Sequence, residues 1–272
     1  MAFGVRGGRA AGRRAPGQAR ALVAGLALLV ALLSACGGST RPRVVAVKAV
    51  KAVPLTTTTE APTTTAAPPL MPASTLVATT HGAIPGSTSP GGPPTGTVPA
   101  SWYGYPTILP VIDQQPGWLE VRLAQRPNGA VAWVPAADVS LSSTPYRIVI
   151  ELGAMDLKVY EGGRQILAFP AGVGTSDDPT VTGHYFVTMQ APAPSPGYGP
   201  FVLVTSAHSA TITDWEGLGD AIIAIHGPID SYDDGLIGAT GARISHGCVR
   251  LHDSDLAQLA MIPAGTPIDI IP

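Results

Sequence analysis

The chain has 272 residues, and only 12% are charged where about 25% is usual for a soluble globular protein. Its formal charge of −2 argues against a nucleic-acid partner. Two cysteines, Cys36 and Cys248, exclude a disulfide framework and any four-cysteine zinc module.

Residues 1–35 contain Arg6, Arg9, Arg13, Arg14 and Arg20 and no acid, followed by the apolar run Ala21 to Leu33. That run of 13 residues fits the h-region of a signal peptide and is short of the ~20 needed to span a bilayer. Arg13-Arg14 lacks the flanking residues of a twin-arginine signal. The stretch Leu33-Ser34-Ala35-Cys36, with Gly37-Gly38 behind it, resembles a bacterial lipobox. Residues 1–35 are thus expected to be a lipoprotein signal peptide, with Cys36 lipidated and the protein anchored to the membrane on the exocytoplasmic face of the cell envelope. The plainer alternative is an ordinary signal peptide with a chance cysteine. Removing five leader arginines from 16 bases leaves 11 against 18 acids, a mature charge of −7. Arg41, Arg43, Lys48 and Lys51 suit either anionic headgroups or a solvated linker.

From Pro54 the chain runs PLTTTTEAPTTTAAPP, and its Gly/Pro/Ser/Thr bias continues to Pro99. Such composition buries little apolar surface, so residues 36–100 are expected to be a disordered tether. Between Leu109 and Leu141, short apolar runs alternate with Gln-Pro-Gly and Pro-Asn-Gly turn signals. Residues 101–143 therefore read as a small β segment, and Gly117-Trp118-Leu119-Glu120-Val121 with Ala132-Trp133-Val134 resembles an SH3-like module. Its tryptophans suit an exposed binding surface or, more simply, core packing.

Residues 144–272 carry the sharpest pattern. Runs at 146–152, 157–160, 165–170, 184–189, 201–205 and 221–226 are β-branched or aromatic and bounded by Gly, Pro or Asp. A mainly β sandwich or barrel follows. One C-terminal helix is expected after Asp253 as N-cap, with Leu256, Leu259 and Ala260 on one face and Pro263 ending it. Pro267 to Ile271 reads as a closing strand, and Asp233-Asp234-Gly235 as a solvated turn. From 145 onward 14 acids face 5 bases, which suits amine-bearing ligands or simply a solvated acidic surface.

With Cys36 assigned to lipid, Cys248 is a lone thiol outside the cytoplasm and a candidate reactive group. Ser245-His246-Gly247-Cys248-Val249-Arg250 sets an imidazole two residues before it and a guanidinium two after. Positive charge there would favour the thiolate, and Gly247 would let the Gly247 and Cys248 amides converge on an oxyanion. His226 ends an apolar strand ahead of Gly227-Pro228, as expected of a side chain delivered to a sheet rim. His226, His246 and Cys248 are acceptable zinc ligand types, but the spacing lacks a fourth ligand. His184, His208 and His252 read as structural or exposed. Tyr198, Tyr232 and Trp215 are candidates to line a cleft.

Ile225-His226-Gly227 together with Ser245-His246-Gly247-Cys248-Val249-Arg250-Leu251 resembles the signature of the L,D-transpeptidase (YkuD-type) catalytic domain. Gly172-Val173-Gly174, Pro179-Thr180-Val181-Thr182-Gly183 and Gly265-Thr266-Pro267-Ile268 add to the resemblance, which covers residues 145–272. Val181 departs from the family's second proline, and the loop from His226 to Ser245 is slightly long. The resemblance implies a mixed β-sandwich acting on peptidoglycan stem peptides, a tetrapeptide donor and an amine acceptor, without metal or cofactor. Cys248 would be the nucleophile, releasing D-Ala and forming a thioester. His226 would be general base and acid, oriented by the Gly227 carbonyl. Ser245 and His246 would shape the site, and Arg250 would hold the segment or meet a substrate carboxylate. Inhibition by carbapenems is a further implication. A non-catalytic wall-binding lipoprotein and an L,D-carboxypeptidase are the competing readings.

Overall fold

The computed structural model describes residues 71–217, 219–238 and 242–272. The leader, Cys36 and the tether as far as residue 70 lie outside the described residues.

Nine strands precede residue 145: β1 (Thr75–Thr80), β2 (Ile84–Ser87), β3 (Pro94–Val98), β4 (Ser101–Trp102), β5 (Tyr105–Pro106), β6 (Ile108–Gln115), β7 (Trp118–Arg122), β8 (Val131–Pro135) and β9 (Val139–Thr144). Seven of them make one sheet in the order β3-β2-β8-β7-β6-β1-β9, while β4 and β5 form a two-stranded hairpin. This corrects the expected tether. Residues 75–98 hold the three strands β1, β2 and β3, and β6 to β9 continue the sheet they begin. The reason is local: Thr75–Thr80 is β-branched and pairs with β6 on one side and β9 on the other. Proline is tolerated in β3 because it is an edge strand, and in β2 because that strand meets β8 only at Ser87, two residues past Pro85. Gly86 allows a close approach, since a Cβ there would lie 3.1 Å from the Ala132 Cβ. Ala78, Ile84, Val98, Leu109, Leu119, Val121 and Val134 form the core of this sheet, completed by Phe186 from the second. Trp133 is buried, in keeping with packing rather than ligand capture.

The second sheet contains β10 (Tyr146–Glu151), β11 (Asp156–Glu161), β12 (Arg164–Pro170), β14 (Gly183–Ala191), β15 (Val202–His208), β16 (Ile222–His226), β18 (Val249–Arg250) and β19 (Pro267–Ile271). Its order is β12-β11-β10-β19-β14-β15-β16-β18. It is mixed, because β10 with β19 and β16 with β18 run parallel. A side pair joins β13 (Val173–Gly174) to β17 (Arg243–Ser245). One face buries Ile148, Ile150, Leu157, Leu203, Ile225, Val249 and Ile268, each contributing about 1.5–3 kcal/mol in transfer free energy.

Helix α2 (Asp253–Ala257) and the 3-10 turn after it press Leu256 and Leu259 into that core. Asp253 is its first helical residue and His252 holds the cap position without a side-chain bond. A second short helix, α1 (Ser231–Leu236), takes the place of the expected Asp233-Asp234-Gly235 turn. It carries no buried residue, so no apolar period announces it, and it is capped by Asp230 accepting from the amides of Tyr232 and Asp233.

The opposite face of β14, β15 and β16 holds a smaller cluster of Met189, Val202, Val204, Ile222 and Ala224. Trp102 and Tyr105 of the β4–β5 hairpin pack on it, together with Tyr198 and Cys248.

Candidate active site

The register of β16 on β18 pairs Ile225 with Val249 and His226 with Arg250. Alternation then sends Ile225 and Val249 into the main core, while His226 and the residue just before β18, Cys248, fall on the other face. Two residues far apart in sequence thus reach adjacent strands of one sheet because their neighbours are apolar.

His226 is buried, and its Nδ1 lies 2.7 Å from the Gly227 carbonyl oxygen. A carbonyl can only accept, so Nδ1 carries the proton and Nε2 keeps its lone pair in the neutral ring. Burial pushes His226 down to about 4, with Arg250 adding to the depression and the Gly227 bond opposing it. The Tyr198 ring lies 4.7 Å from the imidazole, centroid to centroid. Gly227 has no room for a side chain: a Cβ would stand 2.5 Å from an Asp253 carboxylate oxygen and 2.7 Å from the Gly199 nitrogen.

Cys248 is a half-buried free thiol. Burial pushes it up, against the lowering influence of a backbone hydrogen bond at Ala224 and of Arg250. This corrects the expectation of a charge-stabilised thiolate. Two features explain it. The His246 side chain is largely exposed and faces Asp178 and Trp215. The Arg250 guanidinium is paired with the Asp233 carboxylate and also meets the Pro228 carbonyl at 3.5 Å. Arg250 therefore ties β18 to α1 and is already partnered where a substrate carboxylate was considered. Both shifts favour the uncharged forms, an imidazole and a thiol on the same sheet face.

The turn into Cys248 is stapled by Ser245. Its buried hydroxyl donates to the Cys248 carbonyl at 2.5 Å and accepts from the Gly247 amide at 3.2 Å. Because the Gly247 N–H is so used, the proposed pair of converging amides is not what the structure presents. Gly247 has φ +111°, a value that favours glycine. Thr180 is the side chain that sequence reasoning passed over. It is buried, donates to the Gly247 carbonyl at 2.9 Å and accepts from the Gly174 amide at 2.8 Å. The Thr175 amide adds a bond to the Ser245 carbonyl at 3.0 Å. The glycine and Pro-Thr-Val-Thr-Gly segments thus act as a cradle for the cysteine turn; their place beside the site was legible only through the family resemblance.

Among the other candidates, Tyr198 and Trp215 adjoin the two site histidines, whereas Tyr232 is exposed. His184 and His252 sit beside Asp269 and Asp234 at 2.6 and 2.7 Å, and His208 is buried. No group of three His, Cys, Asp or Glu among the described residues is placed to hold a metal ion.

A mixed β domain thus presents a buried imidazole and a thiol on one sheet face. Residues 145–270 match the YkuD family model, the L,D-transpeptidase catalytic domain. Two curated relatives are each named L,D-transpeptidase YkuD. The one from Bacillus licheniformis is 28% identical, spanning 47% of this chain and 67% of its own. The one from Bacillus subtilis is 26% identical, spanning 46% and 66%. Among solved structures, an L,D-transpeptidase from Mycobacterium smegmatis is similar at 20% identity, 59% of this chain and 80% of that one, with a TM-score of 0.37.

Proposed function

We propose that the protein is a peptidoglycan L,D-transpeptidase with Cys248 as nucleophile and His226 as general base and acid. The observation that carries this reading is the β16–β18 register, which places both residues on one face, with His226 Nδ1 held by the Gly227 carbonyl. The depressed His226 supports it, since at neutral pH the ring is an available base.

As Sγ attacks the carbonyl between the third-position diamino acid and the terminal D-Ala of a donor tetrapeptide, its proton passes to His226 Nε2. The tetrahedral intermediate collapses, the C–N bond breaks, and His226 returns the proton to the departing D-Ala amine. A thioester remains. An acceptor amine attacks it, losing a proton to His226, which reprotonates the departing thiolate. Proton transfer coupled to attack suits a thiol whose own ionisation is disfavoured. A carbapenem would acylate the same sulfur. Cys36 would carry a diacylglyceryl group that holds the protein on the exocytoplasmic face of the membrane.

The test is incubation of the protein with disaccharide-tetrapeptides, followed by mass spectrometry beside Cys248→Ala. D-Ala release with dimer formation, both lost in the variant, is the expected result. D-Ala without dimers identifies a carboxypeptidase, and binding without any Cys248-dependent product leaves a wall-binding protein. Intact mass of the membrane-extracted chain checks the lipid on Cys36.

A further inference from the structure

Between β15 and β16 the described residues 209–217 and 219–221 fold back on themselves. The neck is closed by the Ser209 amide donating to the Ala221 carbonyl at 2.9 Å. Ser209 Oγ accepts from the amides of Thr211 and Ile212, at 3.3 and 3.1 Å. At the far end the Trp215 amide meets the Gly219 carbonyl at 2.7 Å, and the Gly219 amide meets the Asp214 carboxylate at 2.9 Å. A loop bonded to itself in this way moves as a unit.

One side of this loop faces His246, two residues before the thiol. The Trp215 ring meets the imidazole edge-on with centroids 5.5 Å apart. Thr211 Oγ1 donates to Asp178 at 2.7 Å, and the other Asp178 oxygen lies 4.0 Å from His246 Nε2. The other side is gripped by the first sheet. From the β7–β8 turn, Arg126 donates to one Asp220 oxygen through Nε at 2.9 Å and Nη2 at 2.7 Å, and from Nη2 to the Ile212 carbonyl at 3.1 Å. Asn128 pairs with the backbone of His208 in both directions, at 2.8 and 2.9 Å. The second Asp220 oxygen stands 2.7 Å from Nδ1 of the buried His208.

We infer that Arg126 and Asn128 are positioning residues. Through them the first sheet holds the Ser209–Ala221 loop so that Trp215 and the Thr211–Asp178 pair fix His246 beside Cys248, and so sets the entrance for the donor peptide. The inference rests on the reading of Cys248 as nucleophile. Its physical content is a population: releasing the loop lowers the fraction of molecules in the held arrangement and weakens apparent substrate affinity by that factor. Chemistry after binding starts from the same arrangement and keeps its rate. A simple structural staple would instead lower the melting temperature and the active fraction, reducing kcat with KM unchanged.

The experiment compares the protein with Arg126→Ala, Asn128→Ala and Arg126→Lys. For a forked but half-exposed ion pair, KM for the donor should rise about three- to tenfold in the alanine variants, with kcat within about twofold. Arg126→Lys should recover part of the loss. Acrylamide quenching of Trp215, taken as the difference between each chain and its Trp215→Phe counterpart, should increase in the alanine variants. Unchanged KM and unchanged Trp215 quenching would overturn the proposal, as would a fall in kcat alone. If the parent releases no D-Ala, the functional reading fails, while the quenching comparison still decides whether the first sheet holds the loop.

Discussion

The two sheets are nearly equal in strand number and differ in how they are held together. The second has a large core of its own, with helix α2 packed into it. The first has a smaller one that is closed by Phe186, a residue of β14 in the second sheet. The second sheet has one face to spare for chemistry because its other face supplies the hydrophobic stabilisation. The first depends on its partner for part of its core and returns the contact through the β4–β5 hairpin and the β7–β8 turn. This division teaches why His226 and Cys248 stay outside the main core: Cys248 packs on the smaller cluster with Trp102, Tyr105 and Tyr198, and the Tyr198 ring meets the His226 imidazole.

The sharpest way to break the comparison is Cys248→Ala. If chemistry is confined to that face, the variant forms no acyl-enzyme mass and releases no D-Ala, while its melting temperature stays within a few degrees of the parent. His226→Gln comes next, with kcat/KM expected to fall about 10²- to 10⁴-fold. It carries a second signature. The folded value of His226, about 4, lies below the ~6.5 of an unfolded histidine. Between these values the unfolded chain binds more protons, so His226 lowers stability as pH falls from 6.5 towards 4, by about 2 kcal/mol at pH 5. His208, also depressed by burial, acts in the same direction. His226→Gln should therefore lose less melting temperature than the parent between pH 7 and pH 5. Activity in the parent should hold below pH 6 and fall as His226 protonates.

Much of the second sheet was legible because its strands are short, apolar and cleanly bounded, and because Ser245 to Arg250 is a contiguous motif. The first sheet was only partly so. Thr75–Thr80 owes its strand to partners on both sides, distant in sequence, and a composition window averages it with the Thr/Pro run before it. Charge told less than expected at the site. The guanidinium of Arg250 was visible in sequence, but its pairing with Asp233 depends on α1, a helix too short to show a period. The raised thiol has the same origin, since burial is decided by strand pairing and outweighs local charge.

Phe186→Ala tests the dependence of the first sheet on the second. Phe186 is almost fully buried among first-sheet side chains, and its truncation should cost about 3–5 kcal/mol. A single denaturation transition shifted to lower denaturant would show that the two sheets unfold together. A new early transition confined to first-sheet fluorescence from Trp118 and Trp133 would show the first sheet to be the weaker partner. An unchanged midpoint would refute the dependence.

The smallest effect expected, and the most specific, is that of Thr180→Val. The replacement keeps volume and branching while removing a buried hydroxyl that bonds the Gly174 amide and the Gly247 carbonyl at once. Leaving those groups without their partner should cost about 1–3 kcal/mol, a shift of a few degrees in melting temperature. The consequence for activity separates two views of the turn. If Ser245 alone fixes the cysteine, through its bonds to the Cys248 carbonyl and the Gly247 amide, acylation of Thr180→Val proceeds at the parent rate. If the cradle of Gly174 and Thr180 is also needed, the acylation rate falls several-fold with donor KM little changed, because Gly247 is then free to leave the φ +111° conformation that presents the thiol. The second outcome is expected, since the Gly247 carbonyl otherwise loses the hydroxyl that holds it, and stopped-flow acylation by a carbapenem measures it directly.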